Sequence, residues 1–365
     1  MADSWIDFEL TNDQRLCFGL EQVEPDWEKI ELKPSQYDLY DTFAYLCGNT
    51  VRKIICVGEG LYAEQSYMET LTEDHRFLLP KTARGKPVPL TAANALKRTP
   101  VGMALVYSNH CVSVFSHTSQ QDYYRSAYNG LLLPAFSDFE DFVTTWCRET
   151  DPQKQADLDA FALQPRAHRK YRKGDFFRFR INRTLFGYGR ILLDYSAMRK
   201  KKVPFWDIFM GKPLCVCVYR IATERKDCSI QELAALPALP SAMVMDNIFY
   251  YGECEIIGNL PLLPEDADYP IHYGQSISMG DTALHYQCGK TFLTLPDEEE
   301  LVSGFCNNGI GWQLNVSLPV LLACIREDSN LPYWNQAHCA SIRQDLRNPK
   351  YRSLLEKIQA QFHIR

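Results

Sequence analysis

No Cys-x-x-Cys pair occurs in the 365 residues, although thirteen of them are cysteine. An odd number of cysteines, many beside apolar neighbours as in Leu214-Cys215-Val216-Cys217-Val218, points to buried thiols rather than a disulfide scaffold. His285 with Cys288, and His338 with Cys339, have no second ligand pair nearby; a structural zinc site is the weaker reading, and no metal or other cofactor is expected. The Gly-x-x-x-x-Gly-Lys-Ser/Thr loop is missing, which excludes a P-loop. Gly187-Tyr188-Gly189 lacks the third glycine of a dinucleotide fingerprint. Neither a Gly-x-Ser-x-Gly elbow nor His-Glu-x-x-His appears. No apolar run reaches the 18 or so residues of a membrane-spanning helix. The acidic start, with Asp3, Asp7 and Glu9, has neither the basic nor the apolar region of a signal peptide. A cytoplasmic protein is expected.

The composition is that of an ordinary folded protein, with 46% hydrophobic and 23% charged residues, and the length suits two domains. Charge is uneven between them. Residues 1–165 carry 24 Asp plus Glu against 14 Lys plus Arg, a net of −10, which leaves +4 for the rest of a chain whose total is −6. Most of the basic excess lies between Arg166 and Arg183, where eight Lys or Arg face only Asp175. Such a cluster suits nucleic acid or an acidic protein surface. At this overall charge a solvated linker is the more economical reading, and nucleic-acid binding is the weaker alternative.

The periodicity predicts an α+β protein. Asp3–Glu31 reads as an extended or loosely packed lead-in anchored by Trp5, Phe8, Leu20 and Trp27. Thr50–Val57 and Leu61–Met68 form a hairpin around Gly58-Glu59-Gly60, and Val101–Tyr107 and Cys111–Ser116 another around Ser108-Asn109-His110. Ser137 and Glu140 read as a capping box for a helix over Asp138–Arg148, and Pro152 opens a second through Leu163. The boundaries follow: an acidic α+β domain of unknown role over 1–165, a β-rich domain over 166–322, and helices over 323–365 packed on it. The β-rich part is predicted to hold strands at Asp175–Ile181, Phe186–Tyr195, Leu214–Ile221, Ile248–Ile257, Ala283–Cys288, Lys290–Leu295 and Ile310–Val316, with a short helix capped by Ser229 and Glu232. Helices follow at Leu318–Glu327, Ala337–Arg347 and Lys350–Phe362. In the last, Tyr351, Leu355, Ile358 and Phe362 form one stripe that docks on its own domain.

The most informative stretch is Lys170–Leu192, KYRKGDFFRFRINRTLFGYGRIL. It reads as a Gly174-Asp175 turn, a strand alternating Phe177, Phe179 and Ile181 with Arg178 and Arg180, a turn at Asn182–Thr184, and a partner strand whose glycines mark a bulge or a close backbone approach. Lys170, Tyr171, Gly174, Asp175, Phe177, Gly187, Tyr188, Gly189, Arg190 and Ile191 make this hairpin similar to the opening hairpin of the immunity-26 family of bacterial polymorphic toxin systems. The likeness spans about residues 166–322. It implies a non-catalytic protein that binds a cognate toxin and occludes its active site; Gly174, Asp175, Gly187, Tyr188 and Gly189 are then structural. Some relatives are labelled phosphotriesterases, which makes metal-assisted phosphoester hydrolysis the alternative.

No residue inherits a catalytic role from that likeness. Glu253 and Glu255 flank Cys254 on an expected strand, with Asp281 and His285 near a later one, but a solvent-facing strand surface explains the carboxylates more simply. The eight histidines show no paired spacing, which argues against a hydrolytic metal site. Exposed Arg and Trp are what protein interfaces use as anchors. Arg178, Arg180 and Arg190 alternate along strands and cannot all face the core, and Trp206 and Trp312 adjoin loop-forming residues; these five are the expected partner contacts. Asp138 and Asp141 join them if the partner is a nuclease with a basic cleft that an acidic domain fills by mimicking nucleic acid.

Overall fold

The computed structural model describes residues 8–34, 39–203, 206, 211–275, 284–295, 310–314, 316–336 and 345–364. The chain is α+β and divides into two compact units, Met1–Ala167 and His168–Arg365.

The first unit is built on an antiparallel sheet of seven strands: β1 (Glu28–Glu31), β2 (Asp41–Cys47), β3 (Thr50–Gly58), β4 (Leu61–Thr70), β7 (Val101–Ser108), β8 (Cys111–Ser116) and β9 (Gln121–Arg125), neighbours in that order. A two-stranded ladder, β5 (Phe77–Leu78) with β6 (Val88–Pro89), interrupts the succession. Asn109 and His110 both take positive φ, 49° and 62°, the two-residue turn whose twist suits a hairpin. Strand alternation then divides the core: Leu105 and Tyr107 pack under the helices Phe136–Arg148 and Pro152–Ala162, while Ala44, Ile54 and Tyr67 pack beneath the segment carrying the short ladder. Tyr107 stacks on Phe139 at 4.9 Å.

Two expectations for this unit need correction. The helix begins at Phe136 rather than Asp138, and Ser137 is inside it; the Asp138 carboxylate accepts from the Ala135 N–H at 2.8 Å and supplies the cap. The lead-in is also structured, because Thr11 and Gln14 form a capping box for a helix at Asn12–Cys17 and bring Phe18 and Leu20 into the core. Trp5 lies outside the described residues.

The second unit carries a six-stranded sheet in the order β14 (Cys254–Asn259), β10 (Asp175–Arg180), β11 (Phe186–Asp194), β12 (Pro213–Val218), β13 (Ala242–Met245) and β18 (Ile310–Gly311), antiparallel except for the last pair. A second sheet joins β15 (Ile271–Gln275), β16 (Leu284–Cys288) and β17 (Thr291–Leu295). The helix Arg352–Gln361 packs there, with Ile358 buried among Tyr273, Leu284 and Tyr286, so the predicted stripe docks within its own unit. Ser229 and Glu232 do form a capping box, for Ile230–Ala234.

Ile248 is helical, not extended. Phe249 and Tyr250 donate to the Asp246 carbonyl, Gly252 takes φ 84°, and β14 starts only at Cys254. The strand expected at Ile310–Val316 shrinks to Ile310–Gly311, and Asn315 lies outside the described residues, as does most of the helix expected at Ala337–Arg347. Cys215, Cys217, Cys228 and Cys254 are buried thiols. No helix among the described residues is long and apolar enough to cross a membrane.

Candidate functional site

The register of β10 against β11 explains the glycines. Phe177 lies opposite Gly189 and Phe179 opposite Gly187. A Cβ on Gly187 would sit 2.3 Å from the Phe179 ring, and one on Gly189 would sit 2.3 Å from both the Phe177 ring and the Cys217 carbonyl. The rings therefore lie flat across backbone that carries no side chain. Gly174 has φ 86°, and its N–H donates to the Ile191 carbonyl at 2.8 Å. Asp175 closes the turn, accepting from the Arg172 N–H and the Asn259 side-chain amide, each at 2.7 Å. Tyr188 is fully buried, and its hydroxyl donates to the Arg225 carbonyl at 2.6 Å. All five motif residues build the hairpin.

Cross-strand pairing puts Arg178 opposite Tyr188, Arg180 opposite Phe186 and Arg190 opposite Phe176, so the three arginines share one face of the sheet. They end differently along it. Arg178 pairs with Glu255 and donates to the Lys226 carbonyl; Arg180, Arg178 and Lys226 gather around the Phe186 ring at 5.0, 5.5 and 5.1 Å from its centre. This cation–aromatic cluster stands at the hairpin's turn end, where Arg180 faces Phe186 across the last pair before the connecting turn. Arg190 is instead interior, 4% exposed, over the Phe176 ring, bonded to Asp266 at 3.1 Å and to the Leu260 and Pro261 carbonyls.

Trp206, expected at a partner surface, is wholly buried: it stacks on Tyr195 at 4.4 Å, and its Nε1–H donates to Gln287 at 3.1 Å. The loop-forming residues beside it suggested a place at the surface, but a flat aromatic partner and a buried amide fix the indole inside. Trp312 is 69% exposed. Asp138 is tied to its cap and Asp141 is exposed, both on the first unit's helix. Among the described residues, those suggested for acid–base work make separate contacts. Glu255 is paired with Arg178, Glu253 precedes β14 in a turn, the buried His285 lies 3.3 Å from the Thr294 hydroxyl, and Asp281 lies outside the described residues. Among the described residues, no three His, Cys, Asp or Glu side chains are placed to hold a metal ion.

Sequence reasoning missed a cavity of about 510 Å³ in the second unit. Arg190, Cys217 and Tyr219 contribute from the sheet, Ala234 from the end of the helix Ile230–Ala234, Leu236, Ala238 and Leu239 from the segment after it, Glu265, Asp266 and Asp268 from a later turn, and Asn330, Trp334 and Arg347 from the C-terminal part. Arg347 is held by Asp345, Asp268 and both the hydroxyl and carbonyl of Ser241. Burial opposes its charge, but the two carboxylates outweigh that and raise its pKa. No local motif announces this network, because Ser241, Asp268 and Arg347 are far apart in sequence. In the first unit, Lys53 and Glu64 are both fully buried and paired, with Arg15 2.8 Å and the Tyr62 hydroxyl 2.6 Å from Glu64. Burial pushes the Lys53 ammonium below its ordinary pKa despite Glu64.

Residues 172–282 match the family model described as Immunity protein 26. The match bears out the resemblance carried by the hairpin, over a span narrower than 166–322, and takes in β10 to β15. No curated protein and no solved structure matches the chain.

Proposed function

We propose that the chain is a non-catalytic immunity protein that binds a cognate toxin and covers its active site. The observation that carries this reading is the Immunity protein 26 match, which falls on the hairpin and the sheet around it. The cluster of Arg178, Arg180 and Lys226 around Phe186, together with the exposed Trp312, supplies contact chemistry of the kind interfaces use: rigid aromatic area and guanidinium donors. The net charge of −10 over residues 1–165 suits a partner with a basic cleft, as a nuclease toxin has, and draws the two together faster at low salt.

The test begins with an affinity pull-down of the full chain from its own host, followed by reconstitution with the purified toxin. The toxin's activity is expected to fall in proportion to added chain and to stop at a fixed stoichiometry, with no turnover by the chain itself. Toxin activity that persists at saturating chain would overturn the reading. Asp138→Asn with Asp141→Asn is expected to slow association and flatten its salt dependence, leaving dissociation little changed; unchanged association would remove the acidic unit from the mechanism.

A further inference from the structure

The cavity in the second unit has a composition that selects its occupant. Its floor is Arg190, 4% exposed, whose Nη atoms are spent on Asp266 and two carbonyls while its buried Nε has no partner. One wall is apolar, from Leu236, Ala238, Leu239 and the Trp334 ring. The rim is acidic, with Glu265, Asp266 and the half-exposed Asp268, while Asp345 backs Arg347 from behind. The two guanidiniums are thus outnumbered by carboxylates. Arg347 directs its Nε and both Nη groups to Asp345, Asp268 and Ser241 and has nothing left for a ligand.

An anion entering here meets excess negative charge, and a purely apolar group leaves the exposed Glu265 carboxylate unmatched, since Asp266 and Asp268 already hold Arg190 and Arg347. A peptide segment with a basic side chain meets both conditions. Its aliphatic stem lies on Leu236, Leu239 and Trp334, and its ammonium or guanidinium reaches Glu265 beside the arginine-paired Asp266 and Asp268. We propose that this cavity is a docking site for a basic loop of the toxin, the loop's Lys or Arg inserting between the apolar wall and the carboxylate rim. This names the chemistry of the partner contact and so rests on the immunity reading.

The experiment uses the full chain and a probe that is not a toxin: a short capped, fluorescently labelled peptide of glycine and serine around one arginine, with the glutamate equivalent as control, titrated by polarisation. Two variants leave the interior network untouched. Ala234→Trp fills the mouth from an exposed helix end, and Glu265→Arg reverses an exposed rim charge. The arginine peptide is expected to bind wild type, the glutamate peptide not, and each variant to weaken binding about tenfold or more, the size of one charge-assisted contact, with the thermal midpoint unchanged. No binding of the arginine peptide, or equal binding by wild type and Ala234→Trp, overturns the site. Equal binding by Glu265→Arg and wild type overturns the basic side chain as its occupant. Failure of the immunity reading is registered separately, as persistent toxin activity in the titration above.

Discussion

His272 sits on β15 with 1% of its surface exposed, and neither ring nitrogen has a hydrogen-bond partner. Burial pulls its pKa down from 6.5 to about 4, with Asp345 opposing that shift and Arg347 adding to it. The folded-state pKa is depressed, so the unfolded chain takes up the proton first as pH falls. The stability His272 allows is fully present above 6.5 and is lost progressively towards 4. The full difference is about 3 kcal/mol, of which about 2 kcal/mol is gone by about pH 5. Carboxylates titrate over the same window, so the measurement is a difference: urea unfolding of wild type and His272→Leu at pH 7.5 and at pH 5. The leucine variant carries no proton and leaves no unpaired nitrogens. At pH 7.5 it is expected to match or exceed wild type, since a buried unsatisfied group costs about 1–3 kcal/mol. Its advantage is expected to grow by about 2 kcal/mol at pH 5. A difference between the two proteins that does not change with pH would mean that the imidazole is solvated or partnered, and would refute the reasoning.

Gly189→Ala is expected to cost at least about 2 kcal/mol, because its new methyl meets a backbone carbonyl and an aromatic ring at once, whereas Gly48→Ala, with nothing within 4 Å but φ 53°, is expected to cost about 1 kcal/mol from backbone strain alone; thermal midpoints of the two variants check the order. Lys53→Met removes one partner of a fully buried pair and is expected to destabilise the first unit by about 3 kcal/mol. Adding Glu64→Met should then cost less than the two single losses combined, and a double-mutant cycle in urea measures the coupling. Trp206→Ala is expected to lose about 3–5 kcal/mol as a core truncation. Trp312→Ala, at an exposed side chain, is expected to stay within about 0.5 kcal/mol of wild type and to show its effect only in the rate of toxin dissociation.

Period-two alternation made the hairpins legible, since Val101–Ser108 pairs with Cys111–Ser116 and β10 with β11, each joined by residues suited to its turn. The same signal failed at Ile248–Tyr250, where apolar residues continue but Asp246 and Gly252 bend the backbone into a helical turn; an unbroken apolar run does not distinguish a buried strand from a buried turn of helix. β13 and β15 were missed, although β16 and β17 are no longer than β15 and were read. For the site, alternation put Arg178 and Arg180 on one face of β10 and held that the three arginines cannot all face the core, yet it is silent on depth along a face. Arg178 and Arg180 end around Phe186, while Arg190 is carried inside because a turn some seventy residues later delivers Asp266 and two carbonyls to it. Trp206 teaches the same lesson, since its burial depends on Tyr195 and Gln287 meeting it from separate elements. Sequence spacing tells which residues can meet on one element, whereas the partners of a buried charge or indole come from the topology. A pocket assembled from β11, a turn near residue 266 and Arg347 therefore becomes visible only once the chain is folded.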